Sequence, residues 1–303
     1  MDVYSLALIS DENRREGRKE LQQTMISIVI SSRNNEKRIG RTLAGLFAQN
    51  RRDFEIIICD DNSTDRTAAI LDYYPELCRV CMPASVSPHN PGEVFRRALP
   101  ECRGDIVVFN HADASPLDAD YLTCLLKGFD DRSVSAVFAC QESCPEAPFG
   151  VWRDTLRNFS GDKPKFSLAA AAVRRELLDE FPFHTGLPLA VSEEWSKRVE
   201  AAGRGIAFVP SARVEYSRPL TWNNLWDWNY LLGKCRAIAF GELFPFRTFL
   251  RKFASDAKSD FGAARSEHRY SALPGIIPWR LIQHYAYYCG NRAARINQGN
   301  LSC

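Results

Sequence analysis

The chain has 303 residues, of which 45% are hydrophobic and 25% charged, an ordinary composition for a folded globular protein. Its formal net charge of +2 gives no global reason to expect nucleic-acid binding, and the sequence has no run of about 18 uncharged apolar residues that would predict a transmembrane helix. The length suits one large α/β domain or two small ones.

Residues 1–24 are polar and predict a peripheral helix or a loose arm. A secretory signal would place positive charge first and a longer apolar stretch after it, so we expect a cytoplasmic protein. Cys78 and Cys81 have C-x-x-C spacing, but no second pair accompanies them as a zinc site requires. We therefore expect buried or free thiols, which agree with a reducing compartment.

Apolar runs alternate with helical patterns through the first half of the chain. Strands are predicted over 25–34, 53–65, 79–82 and 104–116, and helices over 36–49, from Thr64 onward and over 92–99. Because each strand is nearly continuous in apolar residues, the pattern predicts a mostly parallel central sheet flanked by helices on both faces.

The second half is less regular. A strand is predicted over 134–140, and a small apolar run over 166–180 becomes helical from Val173. A helix over 193–203 and paired or broken strands over 205–216, around Pro210, follow. Helical segments over 221–244 and 274–296 are rich in aromatic residues. These patterns predict a main domain over 25–220 and a C-terminal helical extension over 221–303.

Three predicted strands end in polar residues. The sequences are Ser-Ser-Arg-Asn (31–34), Asp-Asp-Asn-Ser-Thr-Asp (60–65) and Asn-His-Ala-Asp-Ala-Ser-Pro (110–116). Ligands of parallel sheets bind beyond the carboxyl ends of the strands. Turns and helix caps alone explain residues such as Ser63, but they explain less well two adjacent acids, Asp60 and Asp61, at a buried strand end. The pattern indicates a binding site.

Four ordered segments resemble family 2 glycosyltransferases of the GT-A fold, and among them the rhamnosyltransferase-like branch of bacteria. The segments, all between about Met25 and about Phe240, are ISIVISSRNNEKRIGRTLAGLFAQ (26–49), FEIIICDDNSTDRT (54–67), GDIVVFNHADASPLDADYL (104–122) and EEWSKRVEAAGRGIAFVPSARVEYSRPLT (193–221). The second is the most specific, being similar to the family's IIVVDDGSTDGT. The resemblance implies a Rossmann-like GT-A sheet and a nucleoside-diphosphate-sugar donor.

The resemblance also implies roles for the polar strand exits. Asp60 and Asp61 match aspartates that accept hydrogen bonds from the nucleobase or the ribose. Arg33 either meets the nucleotide or is an ordinary surface arginine. Asp113 matches the second acid of the metal motif and, with the diphosphate, would hold Mg²⁺ or Mn²⁺. His111 replaces the first acid, and either bonds a phosphate oxygen or merely packs.

The catalytic base departs from the family pattern. When the predicted helix over 193–203 is aligned with the family's pattern, the family's Glu-Asp pair falls on Val191 and Ser192. Neither of these side chains can serve as a base. The next acids, Glu193 and Glu194, are the candidates for the base that receives the acceptor's proton. The alternative is that both simply occupy the favourable first turn of a helix.

A further departure lies beyond the last predicted strand. Tyr216 replaces a histidine that ligates the metal in some family members. Arg218, two residues on, would then offset the negative charge of the diphosphate.

The aromatic and basic C-terminal segments have two interpretations. Trp222, Trp226, Trp228 and Tyr230 form either core packing or a wall for the acceptor or lipid. The second segment suits peripheral contact with the inner face of a membrane, although domain packing explains it equally well. Its residues are Arg280, His284, Tyr285, Tyr287, Tyr288, Arg292 and Arg295.

Three functions compete at this point. The first is an inverting glycosyltransferase that joins its donor sugar to a saccharide or lipid-linked acceptor in cell-envelope synthesis, with no nucleic-acid partner. The second is a glycosyltransferase-like domain that binds without catalysis, which the residues at 191 and 192 favour. The third is a nucleotidyltransferase, which ordinarily needs a glycine-rich phosphate loop, whereas SSRNNEKR (31–38) contains no glycine.

Overall fold

A computed structural model of the chain describes residues 24–81, 90–161 and 163–299. The arm predicted for residues 1–24 therefore lies almost entirely outside the described residues. Within them, the chain forms two compact units. The first contains the residues up to Glu142, then 163–186 and Val191–Tyr216; the second contains Ser143–Gly161, Leu187–Ala190 and the residues from Ser217 onward.

An eight-stranded sheet forms the framework of the first unit. In chain order the strands are β1 (Ile26–Ser32), β2 (Phe54–Asp60), β3 (Cys78–Cys81), β4 (Ile106–His111), β5 (Ser115–Pro116), β6 (Val134–Glu142), β7 (Ala170–Arg174) and β8 (Gly205–Glu215). Their order across the sheet is β3-β2-β1-β4-β7-β6-β8-β5. The continuous apolar runs of β1, β2 and β4 form the parallel centre that their composition predicts.

The prediction of a mostly parallel sheet is wrong, because the sheet is mixed. β7 runs antiparallel to both of its neighbours, β4 and β6, and β5 runs antiparallel to β8. β7, with the sequence Ala-Ala-Ala-Val-Arg, lies in the small apolar run, and its last two residues overlap the helix that was predicted from Val173. Alanine has no intrinsic preference for strands, but residues 170–173 are fully buried between two strands, and tertiary packing decides their conformation.

Helices surround the sheet and make up most of the second unit. In chain order they are α1 (Ile39–Phe47), α2 (Thr67–Leu71), α3 (Pro91–Ala98), α4 (Tyr121–Leu126), α5 (Phe149–Phe159), α6 (Arg175–Glu180), α7 (Val191–Ala201), α8 (Leu225–Phe240), α9 (Phe246–Ser266) and α10 (Leu273–Gly299). Asn90 caps α3 by accepting a hydrogen bond from the Glu93 N–H, and Pro91 follows at the first helical position, as predicted.

The core of the first unit joins the central strands to α1. Ile28 and Ile30 of β1 are fully buried together with Leu43 and Leu46 of α1, which lie on one face of the helix at the predicted spacing. β8 is one strand whose pairing register against β6 jumps between Val209 and Arg213. The segment around Pro210 is thus one continuous strand with an irregularity and not two separate strands, and proline there donates no ladder hydrogen bond.

The second unit contains α5, α8, α9 and α10. α8 and α10 approach so closely that a side chain at Gly233 would collide with the Tyr287 carbonyl, and one at Gly290 with the Tyr230 carbonyl. Arg280 of α10 is fully buried. In the part of the chain that the structure describes, no helix combines the length and the apolar character needed to cross a membrane.

The cysteines agree with the expectation of thiols. Cys78 is free and partly exposed, and Cys59, Cys102 and Cys124 are free and buried. Burial raises the pKa of Cys59 to about 12, so this thiol, one residue before Asp60, stays protonated at neutral pH.

Candidate functional site

The polar exits of three neighbouring strands meet at one edge of the first unit. β1 lies between β2 and β4, and the register pairs Ser32 with Asp60 and Ser31 with His111. Since adjacent strands lie 4.7–4.9 Å apart, Asp60 and His111 are separated by roughly 10 Å across β1. That distance is within the length of one nucleotide, so a single ligand can span both exits.

A continuous hydrogen-bond path joins Asp61, directly after β2, to Asp113, beyond β4. The carboxylate of Asp61, which is 2% exposed, contacts the Arg33 guanidinium at 3.3 Å. The Arg33 N–H donates to Asn35 Oδ1 at 2.8 Å, and Asn35 Nδ2 donates to Asp113 Oδ1 at 2.7 Å. Asn35 thus fixes the orientation of Asp113.

Asn35 was not singled out from the sequence. The only indication was its place directly after the polar exit of β1, and its role depends on the conformation of that loop. Its side chain is 9% exposed and also accepts a hydrogen bond from Ser32 Oγ at 3.3 Å.

The loops after β1 and β2 are bonded to each other. The Asn34 N–H donates to Ser63 Oγ, and the Thr64 N–H donates to Asn34 Oδ1, both at 2.8 Å. Asn34 and Asn62 each have a φ of 54°, in the left-handed region that asparagine tolerates better than most residues. These contacts give both loops a defined shape at the strand ends.

Asp65 connects the loops after β1 and β2. Its Oδ1 accepts from the Thr67 N–H at 2.9 Å and its Oδ2 accepts from the Glu36 N–H at 3.1 Å. Burial alone would raise the pKa of Asp65, but the hydrogen bonds from Thr67 and Glu36 lower it. The Asp65 carboxylate therefore stabilises the loops after β1 and β2.

Asp60 also has a local partner. Its carboxylate accepts hydrogen bonds from the Ser63 N–H at 3.2 Å and from Ser63 Oγ at 2.5 Å, which closes the turn after β2. Of the two adjacent acids, Asp60 therefore shapes the turn, while Asp61 is buried beside Arg33.

His111 and Tyr216, two departures from the family pattern, contact each other. Their ring centroids are 5.4 Å apart. The Asp113 N–H donates to His111 Nδ1 at 3.2 Å, so the neutral imidazole carries its proton on Nε2. In this tautomer Nε2 donates a hydrogen bond and does not ligate a cation.

The two candidate bases differ in their contacts. Glu194 is 9% exposed, and both of its oxygens contact Arg198 one turn along α7, at 2.6 and 3.2 Å. Glu193 lies in the first turn, with its carboxylate 3.9 Å from Lys197 Nζ. Glu194 is thus held within its own helix, as the alternative interpretation expects.

The start of α7 is connected to β4 through one short segment. Ser192 Oγ accepts from the Leu168 N–H at 3.2 Å, and the next carbonyl, that of Ala169, accepts from the His111 N–H at 2.8 Å. Glu193 therefore directly follows Ser192, whose side chain is bonded to this segment.

Other predicted residues belong to the second unit. Arg218 is exposed in the segment between β8 and α8. Trp222 and Trp226 are 51% and 41% exposed. Arg280 and His284 are buried, and each contacts an acid of its own unit. These two residues of the predicted basic surface therefore contribute to the interior of the unit.

Asp113 is the carboxylate at this edge that the resemblance assigns to a divalent cation. Across residues 24–81, 90–161 and 163–299, no group of three or more His, Cys, Asp or Glu side chains could hold a metal ion. Asp113 nevertheless fits Mg²⁺ or Mn²⁺, because Mg²⁺ in particular is commonly held by one or two carboxylates together with substrate phosphates.

Known proteins resemble this chain over more than half of its length. The sequence profile of "Glycosyl transferase family 2" matches residues 27–194, more than half of the chain. The probable glycosyltransferase YdaM of Bacillus subtilis is 27% identical over 233 residues, which cover 70% of this chain and 54% of YdaM. This chain thus spans about half the length of that relative.

Two solved structures share the fold. The mannosyltransferase PcManGT from Pyrobaculum calidifontis, in complex with GDP-Man and Mn²⁺, superposes with a TM-score of 0.60 at 17% identity, covering 97% of this chain and 98% of its own. Glucosyl-3-phosphoglycerate synthase from Mycobacterium tuberculosis, in complex with Mn²⁺, UDP-glucose and phosphoglyceric acid, gives a TM-score of 0.56 at 20% identity, covering 75% and 83%. The chain belongs to glycosyl transferase family 2.

Proposed function

We propose that the protein transfers a sugar from a nucleoside-diphosphate-sugar to an acceptor hydroxyl. The observation that carries this proposal is the hydrogen-bond path from Asp61 through Arg33 and Asn35 to Asp113. All four residues lie within the segment that matches the family profile. The path spans three strand exits, as a ligand with a nucleoside at one end and a diphosphate at the other requires.

Asp60 and Asp61 are the proposed acceptors for the nucleoside. A carboxylate accepts hydrogen bonds from ribose hydroxyls or a ring N–H, and Arg33 lies beside Asp61 to contact the same nucleotide. His111 would donate its Nε2–H to a phosphate oxygen. As the sugar leaves, negative charge grows on the diphosphate, and a donor fixed at that position stabilises it.

Asp113 is the proposed ligand of a divalent cation shared with the diphosphate. Such a cation would offset the charge of the leaving group. The bond from Asn35 engages Asp113 Oδ1 and leaves Oδ2 as the oxygen proposed to bind the cation. Arg218 is proposed as a second source of positive charge, because Tyr216 offers no metal-ligating imidazole.

Glu193 is the proposed base. Both oxygens of Glu194 are held by Arg198, and Glu193 lies beside it in the first turn of α7. A base that removes the acceptor's proton during a single displacement gives an inverted product.

The two solved structures of similar fold carry GDP-Man and UDP-glucose, which are nucleoside-diphosphate hexoses. We therefore propose a hexosyl or rhamnosyl donor. The proposed acceptor is a saccharide or a lipid-linked glycan of the cell envelope. A binding domain without catalysis is the second candidate, favoured by Val191 and Ser192 at the family's acidic pair and by the engagement of Glu194 with Arg198.

The test is a donor panel scored for nucleoside-diphosphate release and for transfer, with Mn²⁺ and with chelator. We expect Asp113→Asn to abolish release and Glu193→Gln to reduce turnover by a factor of about 10²–10⁴, the usual contribution of a general base. Glu200→Gln, an exposed change on the same helix, is the matched control. Donor binding without turnover in the unaltered protein would instead establish the binding domain.

A further inference from the structure

The second unit carries a cluster of exposed apolar side chains, here called the aromatic face. It comprises Trp226 of α8, Phe246 and Leu250 of α9, and Leu281 and Tyr285 of α10, which are 41%, 49%, 47%, 43% and 42% exposed. Exposed apolar residues are ordinary when scattered singly, but a cluster drawn from three helices marks an interaction surface.

Ring contacts make the aromatic face continuous. Trp226 and Tyr285 have centroids 5.9 Å apart, and Tyr285 lies 5.6 Å from Phe249. Phe249, itself buried, lies 5.3 Å from Phe246, and Tyr288 lies 5.7 Å from Phe246. The contacts therefore run from α8 across α10 to the start of α9 without a gap.

Positive charge accompanies the aromatic face. The first eight residues of α9 read Phe-Arg-Thr-Phe-Leu-Arg-Lys-Phe (246–253) and contain no acid. Arg247, Arg251 and Lys252 are all exposed. The acids that flank this segment are engaged elsewhere, since Glu242 bonds Arg236 at 2.7 Å and Asp256 bonds His284 at 2.9 Å.

We infer that the aromatic face binds the surface of a bilayer that contains anionic lipids. Aromatic and aliphatic side chains on one side of a helix, with Arg and Lys beside them, suit the boundary between headgroups and acyl chains. Each cation near an anionic surface raises affinity by roughly fivefold, so three together contribute about a hundredfold. Among the described helices none could span the bilayer, so contact would be peripheral.

This surface differs from the one expected from the sequence. The predicted basic surface drew its cations from α10, but Arg280 and His284 of that helix are buried in ion pairs. The exposed cations come instead from α9. The inference goes beyond the proposed transfer reaction and does not rest on it, because vesicle binding is measured without donor or acceptor.

The experiment is co-sedimentation of the full chain with vesicles of phosphatidylcholine alone or mixed with phosphatidylglycerol. We expect binding only to the mixed vesicles, weakening as salt is added. The triple variant Arg247→Gln, Arg251→Gln, Lys252→Gln should lose about a hundredfold in affinity. Phe246→Ser with Leu250→Ser should lose most binding at every salt concentration.

Matched controls test whether binding needs the aromatic face or only exposed cations and apolar side chains in general. Lys258→Gln with Arg265→Gln removes two exposed cations from the later part of α9, and Tyr73→Ser removes a side chain that is 83% exposed on the first unit. Neither should change binding. Circular dichroism checks that each variant is folded.

Three results would overturn the inference: no sedimentation of the unaltered protein with mixed vesicles, equal losses in the controls, or unchanged vesicle binding by the Phe246 and Leu250 variant. If that last variant instead converts a dimer into a monomer in light scattering, the aromatic face is a contact between copies.

Discussion

The hydrogen bond between Asn35 and Asp113 can be removed from either end, which allows its strength to be measured. Asn35→Ala removes the donor, Asp113→Ala removes the acceptor, and the double variant completes a cycle. The bond is 2.7 Å long and its acceptor is a carboxylate. Bonds to charged groups contribute about 1.5–3 kcal/mol, so we expect a coupling free energy of about 2 kcal/mol.

The single variant Asn35→Ala should lose more than the coupling. It also removes the acceptor for the Arg33 N–H at 2.8 Å and for Ser32 Oγ at 3.3 Å. Together these losses predict a free energy of unfolding lower by about 2–4 kcal/mol, which a domain with ordinary stability survives.

Denaturant unfolding of the four proteins measures the coupling in stability. Titration with nucleoside diphosphate and Mn²⁺ measures binding, where a misoriented Asp113 should weaken affinity by roughly 30-fold if the full 2 kcal/mol is expressed. Asn223→Ala, an exposed change in the second unit, is the control and should stay within about 0.5 kcal/mol. If the two single changes add to within about 0.5 kcal/mol in both measurements, Asn35 does not position Asp113.

Three further predictions concern stability and are measured by denaturant unfolding. Arg280→Met should lower the free energy of unfolding by about 3–5 kcal/mol, because it removes two charged hydrogen bonds of 2.7 Å, to Asp260 and to Asp154, although Arg153 still contacts Asp260 at 3.2 Å; a loss below about 1 kcal/mol would contradict this. Gly290→Ala should lower the free energy of unfolding by about 1–3 kcal/mol or more, since the added methyl group would collide with the Tyr230 carbonyl. Gly262→Ala, whose added methyl group would meet open space, should not lower it. Burial alone would raise the pKa of Asp256, but its histidine partner and a nearby arginine lower it. The ionised carboxylate therefore contributes fully to folding stability above pH ~4, and this contribution is lost as the pH falls further. Asp256→Asn should therefore flatten the acid side of the stability profile, and an unchanged slope below pH ~4 would refute the assignment.

The central strands were predictable because strands that are buried on both faces need apolar residues at nearly every position. β1 is buried at every position, and apart from Ser27 its sequence is apolar up to its polar exit. β7 gave no such indication, since alanine suits a helix at least as well as a strand. Its conformation follows from pairing with β4 and β6, which lie far from it in sequence.

α9 was missed for a different reason. Its buried positions include Phe249, Ala257 and Ala264, at helical spacing, but also Asp260, which is 1% exposed. An acid on the inner face weakens the amphipathic pattern. The compensating Arg280 belongs to another helix, so only the folded structure explains why the acid is tolerated.

Site prediction shows the same division. Asp61 and Asp113 stand where apolar runs end, so position along the chain indicated them. Asn35 acts through loop geometry, and the contact between His111 and Tyr216 joins residues more than 100 positions apart. Such partnerships depend on tertiary structure, which a single sequence does not reveal.

The bonds between the loops after β1 and β2 bear on the thermodynamics of donor binding. Asn34, Ser63, Thr64 and Asp65 already hold the backbone in place through contacts within the protein. A nucleotide that enters this edge meets a pre-organised site, and the conformational entropy of those loops is lost during folding instead of at association. Free and nucleotide-bound forms should therefore have superposable backbones here, with affinity limited by contacts to the nucleotide.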